Sequence, residues 1–240
     1  DESFLDGSFV ETAQRSKLVL ISLCVLLGLF FVYAIHLLYM IGMSYGYRGS
    51  IGMTLIRLMK YVEPGILIGS AGAAVLFVLW INRSYRNLIN LRVQNLSFSK
   101  DVAIYWWLIP IPNIGIAYMM VRDCILGANG ALMYDQFPEK PKLGGLILAW
   151  FTGVAGMIIF LLGKRMQIQG VLSMQDFQYF YNLSESQAAS VYVFQLGGSL
   201  LIILALAKGI QVVKQLRDSE SALLLRVEEA ASKEEAELAE

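Results

Sequence analysis

Few side chains in this 240-residue chain are of a type and spacing that could do chemistry. Catalysis needs a nucleophile, base or metal site whose partners can meet. The sequence holds no Gly-x-Ser-x-Gly, no His-Glu-x-x-His and no paired carboxylates within an apolar run, so it reads as non-enzymatic. A single histidine, His36, rules out sites that need two imidazoles from one chain, such as bis-histidine haem ligation. One nitrogen of His36 could ligate a pigment or haem iron; a hydrogen bond to a neighbouring helix is the plainer use. Cys24 and Cys124 lie 100 residues apart with no other Cys or His near either, so zinc and redox spacings are missing and both read as small apolar fillers. The expectation is no metal and no cofactor.

Two polar features remain. Arg83, Arg86 and Arg92, with Asn87 and Asn90, form a short basic segment between apolar runs, where guanidinium groups can meet lipid phosphates or the last carbonyls of a helix. Ordinary interfacial anchoring and a dedicated partner or headgroup pocket both fit. Further on, Ile109-Pro110-Ile111-Pro112-Asn113 places two prolines at the centre of an apolar run. Each lacks an N–H and clashes with the preceding turn, so a helix must kink or break there. Asn113 can satisfy a freed carbonyl.

The elements that carry these residues are set by composition. Hydrophobic residues make up 57% and charged residues 16% of the chain, against roughly 45–50% and about 25% in soluble domains. Nineteen basic and nineteen acidic side chains cancel, which argues against nucleic-acid binding. A helix needs about 20 apolar residues to cross the roughly 30 Å hydrocarbon layer. Five segments qualify: Leu18–Met43, Val62–Ile81, Val102–Val121, Leu143–Gly163 and Gln187–Ala207. Inside lipid only helices or closed barrels satisfy the backbone, and runs without alternation choose helices. The expected fold is an all-α integral membrane bundle of four to five transmembrane helices. It comprises an N-terminal extramembrane segment (1–17), a membrane domain (18–207) and a charged C-terminal tail (208–240). The first run is too long for a cleaved leader and is expected to stay in the mature protein. Tyr39, Tyr45, Tyr47, Trp80, Tyr85, Tyr105, Trp106 and Trp107 mark interfaces. Glycines in the second, fourth and fifth segments allow close helix approach, either within the bundle or against a neighbouring protein.

Charge decides between topologies. With five crossings, eight positive side chains fall on the N-terminal side and ten on the other, which is no bias. If the third segment dips in and returns, the counts become 13 and 5, and the positive-inside rule is obeyed. A proline-kinked crossing and a re-entrant or interfacial hairpin both stay open at this stage.

The stretch Trp80-Ile-Asn-Arg83-Ser-Tyr-Arg86-Asn87-Leu88, Leu96-Ser-Phe98-Ser99, Trp106-Trp107-Leu-Ile-Pro110-Ile-Pro112-Asn113 and Tyr118-Met-Met-Val-Arg122-Asp123 resembles the domain of unknown function 4328 family of bacterial multi-pass membrane proteins. That pattern is a Trp and Arg leading to Asn-Leu, a Phe-Ser, a Trp-Trp with Pro-x-x-Asn, and a Pro-Tyr followed by Arg-Glu. Where the family has Trp and Arg-Pro before the tyrosine, this chain has Gly115, Ile116 and Ala117, so a role resting on that arginine is absent. The resemblance implies a bacterial cytoplasmic (inner) membrane protein and implies no activity.

Between the runs, Gly46–Tyr61 fits either an interfacial amphipathic helix or a turn extending the second segment. Residues 128–142, broken by Gly130, Pro138 and Pro141, read as a loop, and Ser184-Glu-Ser-Gln187 reads as a helix cap. Lys208–Glu240 is expected to continue as a helix. Ile210, Val213, Leu216, Leu223, Leu224, Val227, Ala230 and Ala231 form a stripe that either packs on another helix or frays in solvent. The tail's basic start and acidic end place it on the cytoplasmic side. By elimination, the expected function is a non-catalytic scaffold or accessory subunit of a larger membrane complex, with lipid and other membrane subunits as partners and homo-oligomerisation open. The alternative is a small transporter or channel-like protein that uses the Pro-broken third segment as its binding site.

Overall fold

A computed structural model describes residues 8–47, 52–90, 96–98, 110–131, 143–172 and 185–238. They form five helices: α1 (Ser8–Ser44), α2 (Gly52–Asn90), α3 (Pro110–Ala131), α4 (Gly144–Leu172) and α5 (Glu185–Leu238). Four of them are long and apolar enough to cross a membrane, over Thr12–Ser44, Thr54–Asn90, Gly144–Gln167 and Ala189–Leu225. The chain is an all-α, multi-pass membrane protein. Two of these stretches have 37 residues, about 55 Å of helix, so they exceed a hydrocarbon layer of roughly 30 Å. In α5 the charges Lys208, Lys214, Arg217, Asp218 and Glu220 confine the lipid-embedded part to the residues before them. In α2 the charges Arg83 and Arg86 do the same.

The helices run further than the apolar segments. Residues 52–61 belong to α2, so the first connection largely extends the second segment, and α4 continues to Leu172. The third segment is helical over Pro110–Ala131, with both prolines in the first described turn of α3; residues 101–109 lie outside the described residues. Proline is favoured at the first helical position because its missing N–H is unpaired there anyway. α3 reaches Ala131, and the rest of the loop read at 128–142 lies outside the described residues up to Lys142. α5 begins at Glu185, directly after Ser184, itself outside the described residues.

α1 ends in a Schellman motif. Tyr47 N–H donates to Gly42 O and Gly46 N–H to Met43 O, both at 3.0 Å, with Gly46 at φ +86°. Only glycine holds that angle without strain, so Gly46→Ala is expected to cost about 1 kcal/mol, read by denaturant titration in micelles.

The helices divide into two compact units. One draws on Leu23–Ala71 and Ile147–Lys208. Its core packs Phe30, Tyr33 and Leu37 of α1 against Met59, Val62 and Ile66 of α2 and Ile202 of α5, with Phe160 of α4 at the edge. α4 and α5 meet through small residues in antiparallel order, Gly153 on Ala205, Gly156 on Gly198 and Gly163 on Gln195. A Cβ added at Gly156 would lie 2.9 Å from Gly198 O, so the two backbones touch. Gly65 and Gly69 of α2 face Leu29 and Leu26 of α1. These glycines therefore build the bundle itself, whereas Gly28, Gly72 and Gly197 have nothing within 4 Å. Phe31, Leu67, Ile68, Phe151, Leu161 and Phe194 point outward, as lipid-facing side chains do.

The other unit draws on Asp1–Ser22, Gly72–Leu146 and Gly209–Glu240. Its interior contains Trp80, Ile81, Tyr85 and Leu88 from α2, Met120, Val121, Cys124 and Ile125 from α3, and Val213, Leu216 and Leu223 from α5. The tail stripe thus packs through Leu223. Beyond it Leu225, Glu228 and Glu229 are exposed, and the side chains of Val227, Ala230 and Ala231 lie outside the described residues. Cys124 is a buried filler whose thiol is pushed well up, first by burial and then by Glu220 and Asp123. Cys24, by contrast, is exposed on α1.

Candidate functional site

Trp80, Arg83 and Asn87 of the arginine segment share one face in the second of these units, while Asn90 is exposed and Arg92 lies outside the described residues. Trp80, Arg83, Ser84 and Asn87 recur at i, i+3, i+4 and i+7, which sets them on one face of α2. Trp80 is fully buried and stacks edge-on to Phe77 at 6.0 Å. Asn87 donates its amide to the Thr12 hydroxyl at 3.2 Å, tying the end of α2 to the start of α1. From the neighbouring face, Tyr85 clamps the segment 96–98. Its hydroxyl donates to Phe98 O at 3.1 Å and accepts from Phe98 N–H at 2.8 Å. Burial, with only the Phe98 backbone bond opposing it, lifts this hydroxyl to about 12, so it keeps its proton and serves both roles.

α3 closes the cluster. The Asp123 carboxylate accepts Ser97 N–H at 2.8 Å and pairs with the Arg122 guanidinium at 3.1 Å. Leu96-Ser97-Phe98 is therefore gripped by a tyrosine from one helix and a carboxylate from another. Replacing Tyr85 with phenylalanine strands both Phe98 backbone groups, with an expected loss of about 1–3 kcal/mol in a micelle unfolding titration. On α5, Glu220 stands beside the Ser84 hydroxyl, and burial pushes its carboxyl up to about 7 against the lowering effect of that hydroxyl.

Not all the expected residues join this cluster. Tyr118 is half-buried on α3, while Pro110, Pro112 and Asn113 form its first turn, their side chains outside the described residues. Trp106 and Trp107 also lie outside them. His36 is in the other unit, 6.3 Å from the Tyr33 ring, and its buried Nδ1 has no partner among the described residues. Among those residues no group of three or more His, Cys, Asp and Glu is placed to hold a metal ion.

Sequence reasoning missed a second polar group, at the ends of apolar runs in the other unit. The Lys164 ammonium pairs with Glu63 at 2.7 Å and lies 5.3 Å from the centre of the Tyr33 ring. Tyr33 donates to Gln195 at 2.9 Å, and Gln195 donates to Gln167 at 3.0 Å. A signal was present: Glu63 opens the second segment and Lys164 directly follows the fourth, so antiparallel helices bring them level. Asp123 likewise lies inside the quoted motif without being singled out, and Tyr85, expected only to mark an interface, is fully buried.

A family described as Domain of unknown function (DUF4328) matches residues 58–218, which takes in Trp80, Tyr85, Asn87, Asp123, Glu63, Lys164 and Gln195 but not Thr12, Tyr33 or Glu220. No curated protein and no solved structure matches the chain.

Proposed function

The chain belongs to the family of the domain of unknown function DUF4328, and from that premise we propose that it is a non-catalytic accessory or scaffold subunit of a bacterial inner-membrane complex. The observation that carries this reading is the closed cluster of motif residues. Tyr85, Asn87 and Asp123 are all buried, and their polar atoms bond to backbone and side chains of other segments. Groups held in this way set geometry and are not free to react with a substrate. The outward faces of the four long helices and the exposed end of α5 are then the surfaces left for other subunits. Non-enzymatic status belongs to this proposal.

The topology we propose has four crossings, with α3 leaving and returning on one side. α3 buries Met120, Val121 and Cys124 in the unit that also holds the start of α1, the end of α2 and the charged part of α5. That arrangement has the 13 to 5 excess of positive side chains, which supports a cytoplasmic side for residues 12–17, 83–100, 122–142 and 208–226. Cysteines introduced at residues 95 and 135 test it: both react only from the cytoplasmic side, and labelling from opposite sides overturns it.

Native purification in mild detergent tests the accessory role. A stoichiometric membrane partner, recovered repeatedly, supports it, and a chain that always purifies alone overturns it. One observation favours a second reading, a small transporter: the buried Tyr33–Gln195 bond continues to Gln167, and the partly exposed Glu63–Lys164 pair stands over the Tyr33 ring, at the ends of apolar runs where ionisable groups mark pathways more often than packing. A solute-dependent thermal shift of the lone protein that disappears in Glu63→Gln supports that reading instead.

A further inference from the structure

Among the described residues, the buried N–H groups of Trp80 Nε1, Arg83 Nε and Arg86 Nε have no hydrogen-bond partner. Buried donors are nearly always paired, so these three N–H groups, with the Ser84 hydroxyl as a fourth orphan in the same seven residues of one helix, call for an explanation. The three N–H groups can only donate and the Ser84 hydroxyl can donate as well, so what is missing is an acceptor. Two of the N–H groups belong to guanidinium groups, which makes the acceptor an anion. Other arginines of the same unit are already neutralised: Arg122 pairs with Asp123 and Arg217 with Asp218. Arg83 and Arg86 have no carboxylate partner among the described residues.

We infer that Trp80, Arg83 and Arg86 form a binding site for the phosphodiester of an anionic membrane phospholipid. Three observations converge on it. The apolar run ends at Ile81, so the arginines stand two and five residues beyond it, at the depth of the phosphates. Guanidinium groups match phosphate oxygens in a fork that one ammonium cannot reproduce. And general anchoring would leave both arginines wet, whereas here both are half-buried with their Nε atoms out of solvent, three and six residues along the same helix from the fully buried Trp80. The site lies within one helix and holds whether or not the chain joins a larger complex.

Native mass spectrometry of the purified full chain, offered equal amounts of phosphatidylglycerol and phosphatidylcholine with the same acyl chains, tests this. The expected result is retention of phosphatidylglycerol on the order of tenfold over phosphatidylcholine, falling to parity in R83Q/R86Q. Should that double variant fail to fold, Trp80→Phe keeps the ring and removes one donor, with an expected loss of about threefold in the preference. Millimolar inorganic phosphate is expected to displace the lipid. If phosphate binds as tightly as the lipid, the same donors serve a soluble anion and the lipid assignment is overturned. Equal retention of the two lipids by the native chain, or a preference unchanged in folded variants, also overturns it.

Discussion

Gly198→Ala is expected to destabilise the membrane bundle by about 1–3 kcal/mol, while Gly197→Ala, one residue earlier on the same helix, leaves it unchanged or slightly more stable. A Cβ at Gly198 would lie 2.6 Å from Phe160 N and 2.9 Å from both Phe160 Cα and Gly156 O. All three are backbone atoms, so no side chain can swing aside and α4 has to move away from α5. At Gly197 an added Cβ has nothing within 4 Å, and only the better helix propensity of alanine remains. Apolar lipid offers little drive to hold two helices together once their close contact is lost, so the loss should be visible directly. Denaturant titration in micelles reads both variants. Equal stability of the two would remove the α4–α5 contact from the account.

The second large effect concerns pH. Glu220 has its carboxyl raised from 4.5 to about 7, chiefly by burial, with the Ser84 hydroxyl opposing. An acid whose folded-state value is raised favours the folded state only while it is protonated. Its contribution is intact below about pH 4.5, declines as pH rises through the folded value, and is gone above it. The total is about 3 kcal/mol for a shift of this size. Glu220→Gln keeps the shape and cannot ionise. At pH 8 the variant is expected to exceed the native chain by about that amount, and at pH 4.5 to match it. Hydrogen exchange along residues 209–225 at the two pH values reads the difference. A native chain and variant with parallel pH responses would show that Glu220 is not desolvated.

Both results rest on contacts that differ in how far they could be foreseen. Gly156 and Gly198 are visible in the sequence as small residues in apolar runs, yet the sequence left open whether they faced each other or a neighbour. Glu220 was one acid in a charged tail. Its burial depends on Val213, Leu216 and Leu223 turning the same face of α5 inward, and on α2 and α3 being there to receive it.

From the sequence alone came the environment, the helical class, the apolar runs that the four long helices carry, the helical continuation of the tail and the family. These follow from the transfer of local stretches out of water, which adds up residue by residue and needs no partner. Tertiary structure alone decided where the polar side chains went. Thr12 meets Asn87 across 75 residues, Glu63 meets Lys164 across 101, and Tyr33 meets Gln195 across 162. A buried polar group needs a specific partner at hydrogen-bond distance, and which one it finds is set by helix packing that no local window contains.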